Sequence, residues 1–129
     1  MHLQIRTVPA KSPADLVEFL RVLAEAKINI EIAGGSDVEF GGEFAFAVAD
    51  GREDEAVRVL EVAGYDPKLV EVVDCLLSNE PGQLLACIEE VAQINAESGM
   101  AIRDISVGVP GEDGLIPVQV YSEARPPSS

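Results

Sequence analysis

The chain has 129 residues and a formal net charge of −14, from 23 acidic against 9 basic side chains, and 47% of its residues are apolar. That apolar share separates it from disordered chains, which combine high charge with low hydrophobicity, and an acidic excess without clustered Lys or Arg disfavours nucleic acid or an anionic membrane surface as a partner. No segment approaches the apolar length that spans a bilayer, and Met1-His2-Leu3-Gln4 lacks a signal peptide's basic flank and apolar core, so a cytoplasmic location is expected.

Leu3-Gln4-Ile5-Arg6-Thr7-Val8 alternates apolar and polar side chains, which predicts a strand with one buried face, and Pro9 ends it. Ser12-Pro13-Ala14-Asp15 is a helix start: a Ser cap, Pro at the first helical position and an acid three residues after the cap. Leu16, Phe19, Leu20 and Leu23 then line one helical face. Ile28-Asn29-Ile30-Glu31-Ile32 returns to period two, and Gly34-Gly35-Ser36-Asp37 and Gly41-Gly42 bracket Val38-Glu39-Phe40 before the strand Phe44-Ala45-Phe46-Ala47-Val48, which predicts an antiparallel hairpin with room for a bulge. Asp50-Gly51-Arg52-Glu53 reads as a second cap with an acid three residues on, opening a helix with Ala56, Val59, Leu60 and Ala63 on its apolar face and Gly64 at its close. The run from Leu69 to Leu77 is long enough for one extended strand and apolar enough to be buried centrally.

Asn79-Glu80-Pro81-Gly82-Gln83-Leu84 reads as a tight strand-to-helix turn with Pro81 at the first helical position. The first N–H groups of a helix lack intrahelical partners and carry the positive end of its dipole, so a carboxylate is stabilised there. Gly82 allows close approach, and Asn79 offers both a donor and an acceptor, the pair needed by a ligand that presents carboxylate and ammonium together. Leu84, Leu85, Ile88, Val91 and Ala92 form the apolar face of the helix, with Gly99 past its end. Ile102, Ile105, Val107 and Val109 then mark a strand, and a turn at Pro110–Gly114 leads into Leu115–Tyr121, where Pro117 belongs at a strand start or an edge. Residues 122–129 are polar and Pro-rich and are expected to fray.

Cys75 and Cys87 are too few for a disulfide framework and lack metal-ligand spacing, so both are expected as core thiols. A single histidine, His2, and the absence of any nucleophile paired with a base argue against catalysis. No metal or cofactor is expected.

The elements therefore repeat: strand, helix, strand, strand, helix, strand, and then strand, helix, strand, strand. The turn at 79–84, followed by Ser98-Gly99-Met100-Ala101-Ile102 and a hairpin, resembles the ACT domain, whose pattern is an acid or Asn, any residue, Pro-Gly, any residue, Leu, and later Gly, an apolar residue, Asn, Ile. The resemblance implies an α+β, ferredoxin-like fold of two βαββαβ repeats side by side. An antiparallel sheet would carry its helices on one face. One repeat covers 1–74 and a truncated one 69–121, with strand 69–77 open to sharing. It also implies a non-catalytic regulatory protein that binds a small amino acid and works as a homodimer or on a partner enzyme.

The two repeats depart from the pattern in complementary ways. The first has Lys11-Ser12-Pro13-Ala14-Asp15-Leu16 at its turn but keeps Lys27-Ile28-Asn29-Ile30 at the following junction; the second keeps the turn but has Ala101 where the junction Asn belongs. In the serine-sensing ACT domains of phosphoglycerate dehydrogenases, which this turn resembles, one domain gives the turn Asn and its neighbour the junction Asn. The resemblance thus implies one working site per chain, with Asn79, Glu80, Pro81, Gly82, Gln83 and Leu84 from one repeat and Asn29 and Ile30 from the other. The competing reading is an interaction module that dimerises or docks on an enzyme through an uncovered sheet edge.

Overall fold

The computed structural model describes residues 2–9 and 12–124. Lys11 and residues 125–129 lie outside that range, so the first-repeat turn lysine and most of the expected tail are outside the described residues. The chain folds as two compact units, Leu3–Val70 and residues 71–124 together with His2, and the main division falls inside a single strand.

In the first unit β1 (His2–Thr7), α1 (Pro13–Glu25), β2 (Ile30–Gly35), β3 (Phe44–Val48) and α2 (Glu53–Val62) lead into β4 (Lys68–Leu77). β3 lies between β1 and β2 and is antiparallel to both, with Ile5 and Ala33 each opposite Phe46, and the expected bulge falls between Ile30 and Ile32. Val38–Phe40, in the hairpin connection, is a single 3₁₀ turn. α1 and α2 cover one face of these strands, where Ile5, Phe46 and Val48 meet Phe19 and Leu23 of α1, Ala56 and Leu60 of α2, and Ile28. Phe19 is the hub: its ring stands edge-on to Phe44, Phe46 and Tyr65 at centroid distances of 5.8, 6.0 and 5.0 Å, the geometry that aromatic quadrupoles favour. Burial, with Glu18 and then Asp15 nearby, holds the Tyr65 hydroxyl above the usual tyrosine range.

Two local expectations are corrected here. β1 is not polar on one face and buried on the other: Gln4 and Arg6 are buried as fully as Ile5, while Leu3 is exposed. The guanidinium accounts for this, donating from Nη1 to Gln4 Oε1 and from Nε to Glu43 Oε1, both at 2.8 Å, so that a polar cluster replaces solvent on that face. At α2 the cap is not Asp50. The helix starts at Glu53 after Arg52, and the Glu53 carboxylate accepts hydrogen bonds from the Gly51 amide instead.

α1 starts as read, with Ser12 Oγ accepting from the Asp15 amide and Pro13 in the first turn. It ends in a Schellman motif, in which the Ile28 amide bonds Leu23 O and the Lys27 amide bonds Ala24 O, both at 3.0 Å. That motif puts Lys27 at φ 60°, a left-handed conformation normally filled by Gly.

In the second unit β4 is followed by α3 (Gln83–Ser98), β5 (Met100–Val107) and β6 (Ile116–Ala124), with β6 between β4 and β5 and antiparallel to both. α3 lies on one face, where Cys87 and Val91 pack on Val118 and Val120. Pro117 is the second residue of β6, just beyond the last β5 pairing at Val107–Val118, so its missing N–H falls near a strand start. Residues 122–124 continue β6 instead of fraying, because they pair with Ile102, Ala101 and Met100. β4 is less buried than its composition suggests, since Leu69 and Leu76 are exposed and only Val72 is fully covered. Six antiparallel strands and three helices in this order make the fold α+β and ferredoxin-like.

Replacing Lys27 by Gly removes left-handed strain without disturbing the Schellman bonds. Lys27→Gly should stabilise the protein by about 1 kcal/mol, read as a higher midpoint in urea unfolding with an unchanged slope.

Candidate functional site

The segment between β4 and α3 is a type II turn rather than a helix start. Pro81 occupies its second position, Gly82 its third at φ 86° and ψ −4°, and the Gln83 amide closes it on Glu80 O at 3.4 Å. Pro81 is therefore not the first helical residue, as its spacing suggested; α3 begins two residues later, at Gln83. The physical reason is the left-handed conformation at Gly82, which an α-helix cannot contain and which Gly alone adopts without strain.

This geometry sets which amides of the first helical turn have an intrahelical acceptor. Gln83 N–H is spent on the turn, and the first i to i−4 helical bond is Ala86 N–H to Gly82 O at 3.0 Å. The N–H groups of Leu84 and Leu85 fall between these two and have no intrahelical acceptor by helix geometry. Asn79, Glu80, Pro81 and Gly82 are exposed, Gln83 is half-buried, and the Leu84 and Leu85 side chains are 51% and 63% exposed. The apolar face of α3 is the expected one only in part: Val91 is buried and Ile88 packs on the second core, while Ala92 is exposed. Its buried positions are Cys87, Val91 and Asn95, while Leu84 and Leu85 stand beside the turn in solvent.

Asn29 and Ile30 belong to the other unit. Asn29 is exposed just ahead of β2, and Ile30 opens that strand half-buried against the first core. Their junction is held from two sides, by the Schellman bonds of Lys27 and Ile28 and by Arg52 Nη1, which donates to Lys27 O at 2.7 Å. Ala101, at the equivalent junction of the second unit, is in β5.

Sequence reading missed the cross-link next to the turn. Cys75 of β4 and Cys87 of α3 are joined by a disulfide, with Cα atoms 6.4 Å apart, and no free cysteine is present among the described residues. The correction has a geometric cause: Cys75 and Cys87 both point into the core between β4 and α3, a proximity that sequence spacing cannot show. The bond closes a loop that contains the whole turn.

Arg6, Thr7, Val8, Glu43, Asp66 and Lys68 line a recess of about 190 Å³ in which Thr7 Oγ1 is buried without a hydrogen-bond partner. Among the described residues no cluster of His, Cys, Asp and Glu is arranged to hold a metal ion, and no helix is long and apolar enough to cross a membrane.

No protein-family model matches the sequence, and no curated protein matches it. Solved structures do. Protein BT0572 from Bacteroides thetaiotaomicron is similar at TM-score 0.70 and 21% identity, over 94% of this chain and 78% of that one. The regulatory subunit of aspartate kinase from Thermus thermophilus, in a ligand-free form, is similar at TM-score 0.58 and 18% identity, over 92% and 81%. The same subunit from Thermus flavus gives TM-score 0.56 and 21% identity, also over 92% and 81%. Likenesses at these identities establish the fold.

Two measurements test this geometry. A Cβ at position 82 would meet nothing within 4 Å, so Gly82→Ala should cost about 1–2 kcal/mol through backbone strain alone, read by chemical denaturation. Thiol titration of the unreduced, unfolded protein should find no free sulfhydryl, and reduction should lower stability by about 3 kcal/mol, the scale for a loop of this length.

Proposed function

We propose that this chain is a regulatory protein of the ACT type that binds a small amino acid at the 79–84 turn and passes its occupancy to a partner. The observation that carries the reading is the type II turn, which leaves the Leu84 and Leu85 amides without an intrahelical acceptor close in sequence to exposed Asn79. A ligand carboxylate accepts from those two amides, where the helix dipole adds to the attraction, and the Asn79 carboxamide oxygen accepts from the ligand ammonium. The exposed Leu84 and Leu85 side chains supply apolar surface for the ligand's own side chain. The share assigned to Asn29 and Ile30 rests on the sequence resemblance.

Fold likeness to the aspartate kinase regulatory subunits supports regulation as the class of activity, as an analogy. A catalytic role finds no support in the residues, since no nucleophile is paired with a base in this sequence.

At a hundredfold excess over its dissociation constant, one bound ligand adds about 2.7 kcal/mol to folding, enough to move the melting temperature by several degrees. A thermal-shift screen of the twenty amino acids should therefore reveal one or a few ligands, and Asn79→Ala should remove the shift while leaving the unliganded melt within a degree or so. Asn29→Ala should weaken binding of the same ligand by about tenfold, the worth of one charge-assisted hydrogen bond. If no amino acid moves the melt, the sensor reading fails. In that event the interaction-module reading gains, and one observation favours it: β5 is an edge strand with Ile105 and Val107 about half exposed. It requires a stable dimer or hetero-complex without ligand, which solution scattering across concentrations decides.

A further inference from the structure

α3 is the only helix on its three strands among the described residues, and it leaves part of their apolar face open. The opening is a cavity of about 660 Å³, within the size range of small-molecule sites. Val73 of β4 and Val120 of β6, directly opposite one another in register, form its floor, and Ile94 and Asn95 of α3 form a wall. Glu71 and Ser122 lie two residues along their strands from Val73 and Val120, hence on the same face.

Asn95 is the unexpected residue. It follows Cys87 and Val91 at helical spacing on the buried face of α3, where an apolar side chain would close the gap, yet it is 8% exposed and polar. Its Nδ2 donates to Ser122 Oγ at 2.9 Å, and a carboxamide and a hydroxyl together have hydrogen-bonding capacity beyond that one bond. The cavity therefore combines an apolar floor, a covered amide–hydroxyl pair and a carboxylate from Glu71, with Asp74 also at its lining and, among the described residues, no Lys, Arg or His.

From this geometry we infer a second binding site, separate from the 79–84 turn, for a small apolar amine. An aliphatic or aromatic body lies on Val73, Val120, Ile94 and Met100, and the ammonium group donates to the Glu71 carboxylate and the Asn95 carboxamide oxygen. A ligand carrying a carboxylate is disfavoured, because its charge would lose water without gaining a cation. The site accordingly selects against free amino acids, the class proposed for the turn, and the protein's net charge of −14 attracts amines over acids before contact.

The test is a two-dimensional amide NMR titration of the full chain with three probes of like shape, 2-phenylethylamine, 2-phenylethanol and 3-phenylpropanoate. The amine should perturb residues 71–74, 94–100 and 120–122 and bind about tenfold more tightly than the carboxylate. Glu71→Gln, at an exposed position, should weaken the amine by roughly fivefold and leave the alcohol unchanged. Ile94 is 48% exposed, so Ile94→Trp fills the cavity without overpacking the core and should abolish amine binding. Asn79→Ala should leave amine binding unaltered, which separates this site from the amino-acid reading. The inference is overturned if the amine perturbs none of these segments, or if the carboxylate binds as well as the amine. It is also overturned if the groove is filled by a second copy of the chain, seen as a concentration-dependent dimer that Ile94→Trp dissociates.

Discussion

A sheet with one apolar face must have that face covered, and the two units meet this requirement to different degrees. In residues 3–70 two helices share the work: Phe19 and Leu23 from α1 and Ala56 and Leu60 from α2 close over Ile5, Phe46 and Val48, and Phe19 touches three other rings. In residues 71–124 a single helix lies on three strands, and its buried contacts are Cys87 and Val91. Burial at roughly 25 cal/mol per Å² of apolar surface is the main favourable term in folding, so the second unit has less of it to set against chain entropy. A cross-link between β4 and α3 suits such a unit, because it restricts the unfolded chain without needing a larger core.

The same shortage of cover explains where polar and exposed groups collect. The half of α3 nearest the turn carries Leu84 and Leu85 in solvent, and its far half carries Asn95 at a buried position beside a cavity. The two sites proposed above lie at opposite ends of this helix, one built on amides that favour an anion and the other on acceptors that favour a cation. The turn itself is compact because Pro81 and Gly82 each meet a different demand of the type II geometry, a fixed φ at the second position and a positive φ at the third. With the disulfide closing its loop from both sides, the turn is presented on a restrained base rather than on a mobile connection.

On the first unit the constraint is polar. Arg6 is covered on the strand face opposite α1 and α2, and its ion pair with Glu43 and bond to Gln4 compensate the lost hydration of the guanidinium. Removing a partner from such a cluster costs more than its net contribution, so these residues specify the strand's position as much as they stabilise it. The junction ahead of β2 is fixed in a similar way, by Arg52 holding the Lys27 carbonyl.

Local signals alone determined a large part of this molecule. Periodicity separated helices from strands, Ser12-Pro13 marked the start of α1, Gly64 and Gly99 marked helix ends, and glycine spacing pointed to a hairpin with room for a bulge, while the α+β, ferredoxin-like fold was what the ACT resemblance implied. These depend on backbone dihedrals and on neighbours within a few residues, which the sequence states directly. Tertiary structure alone decided the burial of Gln4 and Arg6, the pairing of Cys75 with Cys87, the exposure of Leu84 and Leu85, and the placing of Asn95 over a cavity. Each of these turns on which surface lies opposite, and a residue's type and spacing carry no record of what the rest of the chain brings to face it.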